Sequence, residues 1–335
     1  MSVGDAIPRL SVIIATKNRA EELRTISLPS LEKQDTRDFE VIVWDASEDE
    51  SSKRVVGMFA DLHHDLFVRY FRAPRSGSCA QRNDAVMEAK SEIVFFIDDD
   101  CEVSPDGIAT LIELFAHNKS LAGSCLPFVD ERTISEGQSV IGAGRIGAWL
   151  SAVYSRVFYP SSRLSGIGIE RLPTQPGVTD FLSAGDMALR KDIFRDHAFD
   201  ERLQRYAGYA LWEDQQFSRR LRLEGHTLLV ADKGFVKHRP SPVKRLGNPF
   251  IRGKVEGYNA AVIWRTTIFP VSHWSLTPFL WARIGFLGIV LLPCFLRPWQ
   301  VSRWKRTAGY LAGLCSFLRE EMQACALGSI RRALP

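Results

Sequence analysis

A chain of 335 residues, 45% of them apolar, can bury the core of one large α/β domain with an appendage, which excludes disorder as its main state. The net charge of +4 hides an uneven distribution. Residues 236–335 carry 15 lysines and arginines against three acidic residues, whereas residues 1–235 carry 28 basic and 36 acidic residues. This asymmetry indicates an acidic catalytic body and a basic surface suited to phosphate head groups or nucleic acid.

The six cysteines show none of the paired spacings that structural zinc sites or redox dithiols require. We therefore expect reduced, mostly buried thiols in a cytosolic protein. The apolar run at residues 10–15 is shorter than the core of a signal peptide and has no cleavage site after it. Export through a signal sequence is not expected.

In the first hundred residues, four short β-branched or aromatic runs are each followed by a polar break and a helix-like stretch. The runs are residues 10–15, 39–44, 66–71 and 93–97. Their continuous apolar character predicts strands that are buried on both faces, as in a parallel sheet built from βαβ units. The predicted fold class is α/β, with a Rossmann-like, mostly parallel sheet and flanking helices.

Apolar periodicity predicts two helices beside these strands. One follows the first strand, where Leu23, Ile26 and Leu31 share a face and Pro29 interrupts the pattern. The other begins near Pro105, a residue that the first turn of a helix tolerates. Its apolar stripe consists of Ile108, Leu111, Ile112 and Phe115.

The middle of the chain loses this regularity between residues 131 and 177, which indicates a loop or insert near the site. Regularity returns at residues 178–183. Residues 212–224 then predict a helix that ends at Gly225, and residues 226–231 predict a strand.

Polar residues follow the predicted strands at the edge where open parallel sheets bind ligands. They are Thr16, Lys17, Asn18 and Arg19 after the first strand, Asp45 after the second, and Asp98, Asp99 and Asp100 after the fourth. Three adjacent carboxylates repel one another unless water or a cation neutralises them. A divalent Mg²⁺ or Mn²⁺ ion suits such oxygen ligands, and an acidic turn that caps the next helix is the alternative.

Two further elements carry chemistry. Glu213 and Asp214 open a predicted helix, where carboxylates are also favoured by the helix dipole, so capping is the plain alternative to catalysis. His238 follows a short apolar stretch. A single histidine is usually structural, and only the acidic residues around it raise the possibility of a metal ligand.

In this order, these elements resemble the family 2 glycosyltransferases of the GT-A fold. The resemblance covers residues 10–239, about two-thirds of the chain, and each motif alone is weak. The matching stretches are residues 11–19, 43–45, 82–83, 96–100, 183–188, 212–214 and His238.

The resemblance implies roles for these residues. The implied donor-binding set is Thr16, Asn18, Arg19, Asp45, Arg82, Asp98 and Asp99, with Asp98 at the ribose or donor sugar. Asp100 would hold the metal that bridges the diphosphate, with His238 as a further ligand. Asp214 would be the base that deprotonates the acceptor hydroxyl, and Glu213 would support it. The middle position of the acidic triplet usually varies in the family, so Asp99 leaves the division of roles open.

The implied function is an inverting transfer of a sugar from a nucleoside-diphosphate sugar to a hydroxyl of a glycan or lipid-linked acceptor, in cell-surface polysaccharide or glycolipid synthesis. A nucleotidyltransferase on the same type of sheet is one alternative, and it would not need Asp214 as a base. A non-catalytic nucleotide-sugar-binding protein is another, because fold alone does not establish activity.

The domain division that we predict is a catalytic domain over residues 1–240 and a basic, apolar, helical extension over 241–335. The apolar run within residues 277–296 is shorter than the ~20 residues that a spanning helix needs. Tryptophans bracket it at positions 274, 281, 299 and 304, and Arg303, Lys305 and Arg306 form a basic cluster. We expect a cytoplasmic protein that is peripheral at the inner face of the membrane and binds no nucleic acid. A helical hairpin packed on the catalytic domain is the alternative.

Overall fold

The computed structural model describes residues 7–131, 174–208, 210–239, 247–268 and 299–333, with side chains to residue 324. The chain divides into two compact units. The first comprises Met1–Ser139, Glu170–Glu201 and Glu213–Val243, and the second Val140–Ile169, Arg202–Trp212 and Lys244–Pro335. Most of the insert predicted at residues 131–177, and the whole apolar run at 277–296, lie outside the described residues.

Within the described residues, the first unit is built on two sheets. The larger one has eight strands in the order β3-β2-β1-β4-β9-β6-β10-β8, and the smaller one has three in the order β5-β11-β7. The strands are β1 (Leu10–Thr16), β2 (Phe39–Asp45), β3 (Phe67–Arg72), β4 (Ile93–Ile97), β5 (Cys101–Val103), β6 (Leu121–Cys125), β7 (Phe128–Asp130), β8 (Gly177–Val178), β9 (Asp186–Arg190), β10 (Thr227–Val230) and β11 (Val236–His238).

The helices of the first unit lie between these strands in sequence. They are α1 (Ala20–Glu22), α2 (Leu28–Glu32), α3 (Ser51–Leu62), α4 (Ser78–Glu88), α5 (Gly107–His117) and α6 (Glu213–Leu223). A π-helical stretch, Leu23–Ser27, joins α1 to α2. It comes just before Pro29, whose missing N–H cannot continue an α-helical ladder, so the proline widens the helix there instead of ending it.

The four strands predicted from apolar runs are confirmed, each within one residue of its predicted bounds. β1 pairs in parallel with both β2 and β4, and β2 pairs in parallel with β3. The helix predicted after Pro105 is confirmed as α5, and its four apolar stripe residues are all buried. Fully burying such a side chain stabilises the fold by about 1.5–3 kcal/mol.

The sheet is mixed and mostly parallel, as the sequence predicts, because six of its eight strands run in the same direction. β9 lies between β4 and β6 and runs antiparallel to both, and β8 runs antiparallel to β10. β6 and β10 are parallel to each other. The result is a mixed α/β fold with a large central sheet flanked by helices.

The second unit contains α7 (Pro249–Ile263), continued by a π-helical stretch (Trp264–Ile268), and α8 (Val301–Ala333). The two helices cross at glycines. A Cβ atom on Gly257 would lie 2.1 Å from the carbonyl oxygen of Tyr310, and one on Gly309 would lie 2.0 Å from that of Phe250. Two Gly-x-x-x-Gly pairs, with partners Gly253 and Gly313, therefore let the backbones touch.

Ion pairs fix the same two helices. Arg306 pairs with Glu256, and Arg265 pairs with Glu321 at 3.1 Å. Glu320 accepts a 2.7 Å hydrogen bond from the Tyr258 hydroxyl. All three acidic residues of the basic segment are thus engaged. Among the helices that the structure describes, none combines the length and the apolar character that crossing a bilayer takes.

Candidate active site

The residues predicted after β1, β2 and β4 meet at the carboxyl edge of the central sheet. The β1–β4 register pairs Ile14 with Ile97. Two residues further on, it brings Thr16 beside Asp99, where the Thr16 hydroxyl donates to Asp99 Oδ2 at 2.7 Å. The parallel register between strands therefore assembles one cluster from sequence positions more than eighty residues apart.

Arg19 forms ion pairs with two of the three adjacent carboxylates. Its guanidinium is 2.9 Å from Asp99 Oδ1 and 2.6 Å from Asp100 Oδ2. Burial raises the pKa of Asp99 to about 7, although the charge of Arg19 opposes this shift. Part of the repulsion that the sequence predicts within the triplet is thus relieved by a protein cation. The predicted contact of Arg19 with the nucleotide stays a prediction.

His238 reaches the triplet because β11 pairs with β5. That pairing places His238 opposite Cys101, and the Arg239 N–H donates to the Asp100 carbonyl at 2.8 Å. His238 Nε2 lies 3.5 Å from Asp100 Oδ1, and its Nδ1 lies 3.6 Å from Asp130 Oδ1. Burial lowers the pKa of His238, but the Asp100 carboxylate outweighs it and the net shift is upward. For Asp100, burial is outweighed by His238 and Arg19, which hold its pKa below the ordinary value.

Arg82, on α4, joins the triplet to the start of α6. Its guanidinium donates to Asp98 Oδ1 at 2.8 Å and to Glu213 Oε1 at 3.1 Å. The arginine is only 5% exposed, so its charge is matched by two carboxylates within the protein. Burial lowers the pKa of Arg82, but Asp98 and Glu213 more than compensate. The ring of Phe199 lies 5.8 Å below the same guanidinium.

Asp214 follows in the first turn of α6. Its Oδ2 accepts the Ala184 N–H at 3.2 Å, and its Oδ1 accepts the Gln215 N–H at 2.8 Å. Although the residue keeps some accessible surface, dense protein surrounds its carboxyl group. Burial and the charge of Glu213 raise the pKa of Asp214 to about 7. A carboxyl group with that pKa can accept a proton near neutral pH.

Asp45 and Asn18 occupy the β1–β2 side of this edge. Asp45 is fully buried and accepts from the Ser47 N–H at 2.8 Å and from the Tyr70 hydroxyl at 2.9 Å. Asn18 has a left-handed backbone (φ 55°) and accepts the Glu48 N–H at 3.2 Å. Asn18 thus joins the end of β1 to the segment after β2, whereas Asp45 joins the end of β2 to β3, and the roles of both residues at a nucleotide stay predictions.

Asp100 of the triplet and His238 together present an oxygen and a nitrogen ligand for a divalent cation. Asp100 Oδ1 and His238 Nε2 are 3.5 Å apart, whereas neighbouring ligands of an octahedral ion with bonds of about 2.1 Å are about 3 Å apart. A small movement of either side chain would let both bind one ion. Gly185 keeps the space open, because a Cβ atom there would lie 3.2 Å from Asp98 Oδ2. The residues therefore fit Mg²⁺ or Mn²⁺.

Several partners in this site were not predicted. Arg19 was assigned to the nucleotide and not to Asp99 and Asp100, and the contact of Arg82 with Glu213 was not expected. Asp130, beside His238, was missed altogether, although it ends a short apolar run after Pro127. Contacts of this kind depend on pairing between distant strands and have no local signal.

Sequence comparison finds relatives of this chain among bacterial proteins. The β-1,3-glucosyltransferase of Campylobacter jejuni that acts on GalNAc(5)-diNAcBac-PP-undecaprenol is 32% identical over 126 residues, which are 36% of this chain and 39% of that protein. Escherichia coli chondroitin synthase is 29% identical over 255 residues, 71% of this chain and 36% of the relative. The chain thus spans well under two thirds of the length of these relatives.

The solved structures that resemble this chain share its fold. The mannosyltransferase PcManGT from Pyrobaculum calidifontis, in complex with GDP-Man and Mn²⁺, superposes with a TM-score of 0.55 at 16% identity. That match covers 92% of this chain and 88% of the other. GalNAc-T7 with UDP, GalNAc and Mn²⁺ gives a TM-score of 0.50 at 17% identity, covering 76% of this chain and 48% of the other.

The mixed sheet therefore has the fold of these glycosyltransferase structures. The sequence identifies the family. The model of Glycosyl transferase family 2 matches residues 11–197, more than half of the chain, and the chain belongs to that family.

Proposed function

We propose that this enzyme transfers a sugar, with inversion, from a nucleoside-diphosphate sugar to a hydroxyl of a glycan or lipid-linked acceptor. The observation that carries the proposal is Asp214, a carboxylate with its pKa raised to about 7, one residue after the Glu213 that Arg82 joins to Asp98. Near neutral pH, about half of such a base is ionised and ready to accept a proton, and its proton affinity is high enough to draw the proton from the acceptor.

In this proposal each residue of the group has one task. Two backbone N–H groups, from Ala184 and Gln215, hold the Asp214 carboxylate in one orientation. As the acceptor hydroxyl attacks the anomeric carbon, Asp214 takes its proton and the bond from that carbon to the diphosphate oxygen breaks. Arg82 positions Glu213 and Asp98, because its charge is matched by these two carboxylates.

The divalent ion belongs to the same proposal. Asp100 and His238 would hold Mn²⁺ or Mg²⁺, which supplies positive charge to the departing nucleoside diphosphate. The mannosyltransferase and GalNAc-T7 structures named above contain Mn²⁺ with a nucleotide or nucleotide-sugar. Thr16, Asn18, Arg19, Asp45 and Asp99 form the rest of the proposed donor edge, where they lie together at the ends of β1, β2 and β4.

The names of the relatives and the charge of the chain support the proposed acceptor class. The Campylobacter jejuni relative is named for an undecaprenol-linked substrate, and chondroitin synthase for a polysaccharide. The surplus of basic residues in 236–335, together with the exposed Trp299, suits an anionic membrane surface. We therefore place the reaction in cell-surface polysaccharide or glycolipid synthesis at the inner face of the membrane.

A panel of nucleotide-sugars with Mn²⁺ or Mg²⁺ tests the reaction. We expect one donor to raise the melting temperature in a metal-dependent way and to release nucleoside diphosphate when an acceptor is added. Release of pyrophosphate from a nucleoside triphosphate and a sugar phosphate would instead identify a nucleotidyltransferase. Binding of a donor without release, across all acceptors tried, would favour a binding protein.

Flotation with anionic liposomes tests the location. Full-length protein should rise with the vesicles, and protein lacking residues 277–335 should stay behind. Equal behaviour of the two proteins would contradict the membrane role of the extension.

A further inference from the structure

A second group of possible metal ligands lies outside the site described above. His197, Glu224 and His226 each offer one ligand atom, and these atoms all lie within 4.8 Å of one another. His197 Nε2 is 3.0 Å from Glu224 Oε2, and the two imidazole rings are 5.9 Å apart, edge to face. Two imidazoles and one carboxylate are the ligand set of many zinc sites that keep a position for water.

The group lies at the opposite edge of the central sheet from Asp98–Asp100. His226 directly precedes the first residue of β10, and His197 follows the 3₁₀ turn Lys191–Arg195 after β9. β9 ends where β4 begins, because Arg190 pairs with Ile93. The acidic triplet follows the other end of β4, about 16 Å away for a strand of this length. One ion cannot serve both groups.

The local backbone brings together the two ligands that follow α6, Glu224 and His226. Gly225 has a left-handed conformation (φ 89°), and the His226 N–H donates to the Leu221 carbonyl at 3.0 Å while the Gly225 N–H donates to Arg222. This is a Schellman turn, in which glycine reverses the chain after a helix. Residues 224 and 226 therefore flank the turn, and their side chains reach the same neighbour, His197.

The electrostatics of this turn also favour a cation. Glu224 follows the last residue of α6, where the partial negative charge of the helix end disfavours a carboxylate. His197 is 9% exposed, so the surrounding protein fixes the position of this imidazole, whereas the exposed Glu224 side chain can change its rotamer. Tetrahedral ligands about 2.1 Å from an ion are about 3.4 Å apart, so a small rotation of the exposed Glu224 and the half-buried His226 would bring all three ligand atoms within reach of one ion.

We infer that His197, Glu224 and His226 bind a zinc ion that braces the first unit at the edge remote from the acidic triplet. The brace would act on the segment between His197 and Phe199. Ala198 O already accepts a hydrogen bond from Arg220 on α6, and the Phe199 backbone is held by Asn83 at 2.9 and 3.0 Å. An ion held by His197, Glu224 and His226 would strengthen the link that the direct contact of His197 with Glu224 already makes between this segment and the end of α6.

Cobalt titration of the chelator-treated, full-length protein tests the site. Co²⁺ at a tetrahedral site with two histidines absorbs strongly in the visible range, whereas Co²⁺ among carboxylates and water is octahedral and absorbs weakly. We expect one equivalent of strongly absorbing Co²⁺ that Zn²⁺ displaces. His197→Gln and His226→Gln should weaken the affinity at least about tenfold.

Two control variants separate this site from other histidines. His64→Gln changes an exposed histidine near the end of α3, and His238→Gln changes the histidine of the acidic edge. Both should keep the strong band. Absence of the band in wild-type protein, or its survival in His226→Gln, would overturn the inference.

A milder variant guards against misfolding. Glu224→Gln keeps the size of an exposed side chain and should leave the fold intact, yet it should lower the Zn²⁺ affinity and reduce the Zn²⁺-dependent rise in melting temperature. If Zn²⁺ raised the melting temperature of this variant as much as that of the wild type, Glu224 would not be a ligand. If Zn²⁺ did not raise the melting temperature of the wild type, the proposed stabilising role of the ion would be wrong. Neither readout depends on sugar transfer, so the outcome is independent of the proposed function.

Discussion

Asp214→Asn removes a negative charge and a proton acceptor while it keeps the size of the side chain. In the wild type, the two carboxylate oxygens accept separate backbone N–H groups, from Ala184 and from Gln215. An amide has one oxygen, so one of these N–H groups would face an NH₂ group and lose its partner. Loss of a buried hydrogen-bond partner costs about 1–3 kcal/mol.

Ionisation of Asp214 destabilises the wild type, and so it favours the variant in the comparison. Burial and Glu213 raise its pKa from 3.8 to about 7, so between these values the folded protein holds a proton that the unfolded chain releases. The wild type therefore loses stability as the pH rises through this window, by roughly 4 kcal/mol in all and about 3 kcal/mol between pH 5 and pH 8. Asp99 contributes a slope of the same sign in both proteins, and this slope cancels in the comparison.

We therefore expect the stability difference between variant and wild type to move by roughly 3 kcal/mol in favour of the variant from pH 5 to pH 8. Turnover should fall by roughly 10²–10⁴ while donor affinity is kept. Denaturant unfolding at the two pH values and nucleoside diphosphate release measure these effects. Asp106→Asn, which changes an aspartate just before α5, is the matched control and should keep full turnover.

Two results would refute this reasoning. A stable variant that binds donor and transfers sugar near the wild-type rate would show that Asp214 is not the base, and Glu213 would become the carboxylate to change. A stability difference that stays constant with pH would show that Asp214 does not titrate in this window.

Three further changes test the site and the fold. Asp100→Ala should abolish Mn²⁺-dependent donor binding in calorimetry, while the same change at the neighbouring Glu102 should not; equal affinities would contradict the metal assignment. Arg82→Gln should lower the free energy of unfolding by about 3–5 kcal/mol, because it leaves two carboxylates unpaired, and a loss below 1 kcal/mol would show that they relax into water. Gly257→Ala should lower the free energy of unfolding by about 1–3 kcal/mol. Gly57→Ala, in a helix with open space around that residue, should raise it by about 0.5–1 kcal/mol. A change of the same sign in both variants would argue against the close helix crossing.

The sequence predicted those parts of the fold whose signal is local. β1 to β4 are continuous apolar runs, and α5 has a full apolar stripe, so each was found nearly at its bounds. β9 was missed because Asp186–Arg190 is short and charged at both ends. β6 contains no β-branched residue in its Leu-Ala-Gly-Ser-Cys sequence, and it was missed as well. These strands are specified by partners on both sides.

The members of the candidate site were predictable from strand ends, whereas their pairing was not. The sequence places Asp98, Asp99 and Asp100 at one edge, but it cannot show that Arg19 neutralises two of them. Likewise, Arg82 and Glu213 are more than 130 residues apart and meet only after α4 and α6 have packed. Long-range ion pairs carry no periodicity that a sequence pattern could reveal.

The position of β9 has a consequence for synthesis on the ribosome. The two neighbours of β9, β4 and β6, are both synthesised before it, so β9 must insert between them. Until Arg190 has left the exit tunnel, the nascent chain exposes two strand edges with unpaired N–H and C=O groups, which are sites for aggregation. A chain that stalls before Asp186 should therefore need a chaperone, and one that stalls once β10, the other neighbour of β6, has left the tunnel should not.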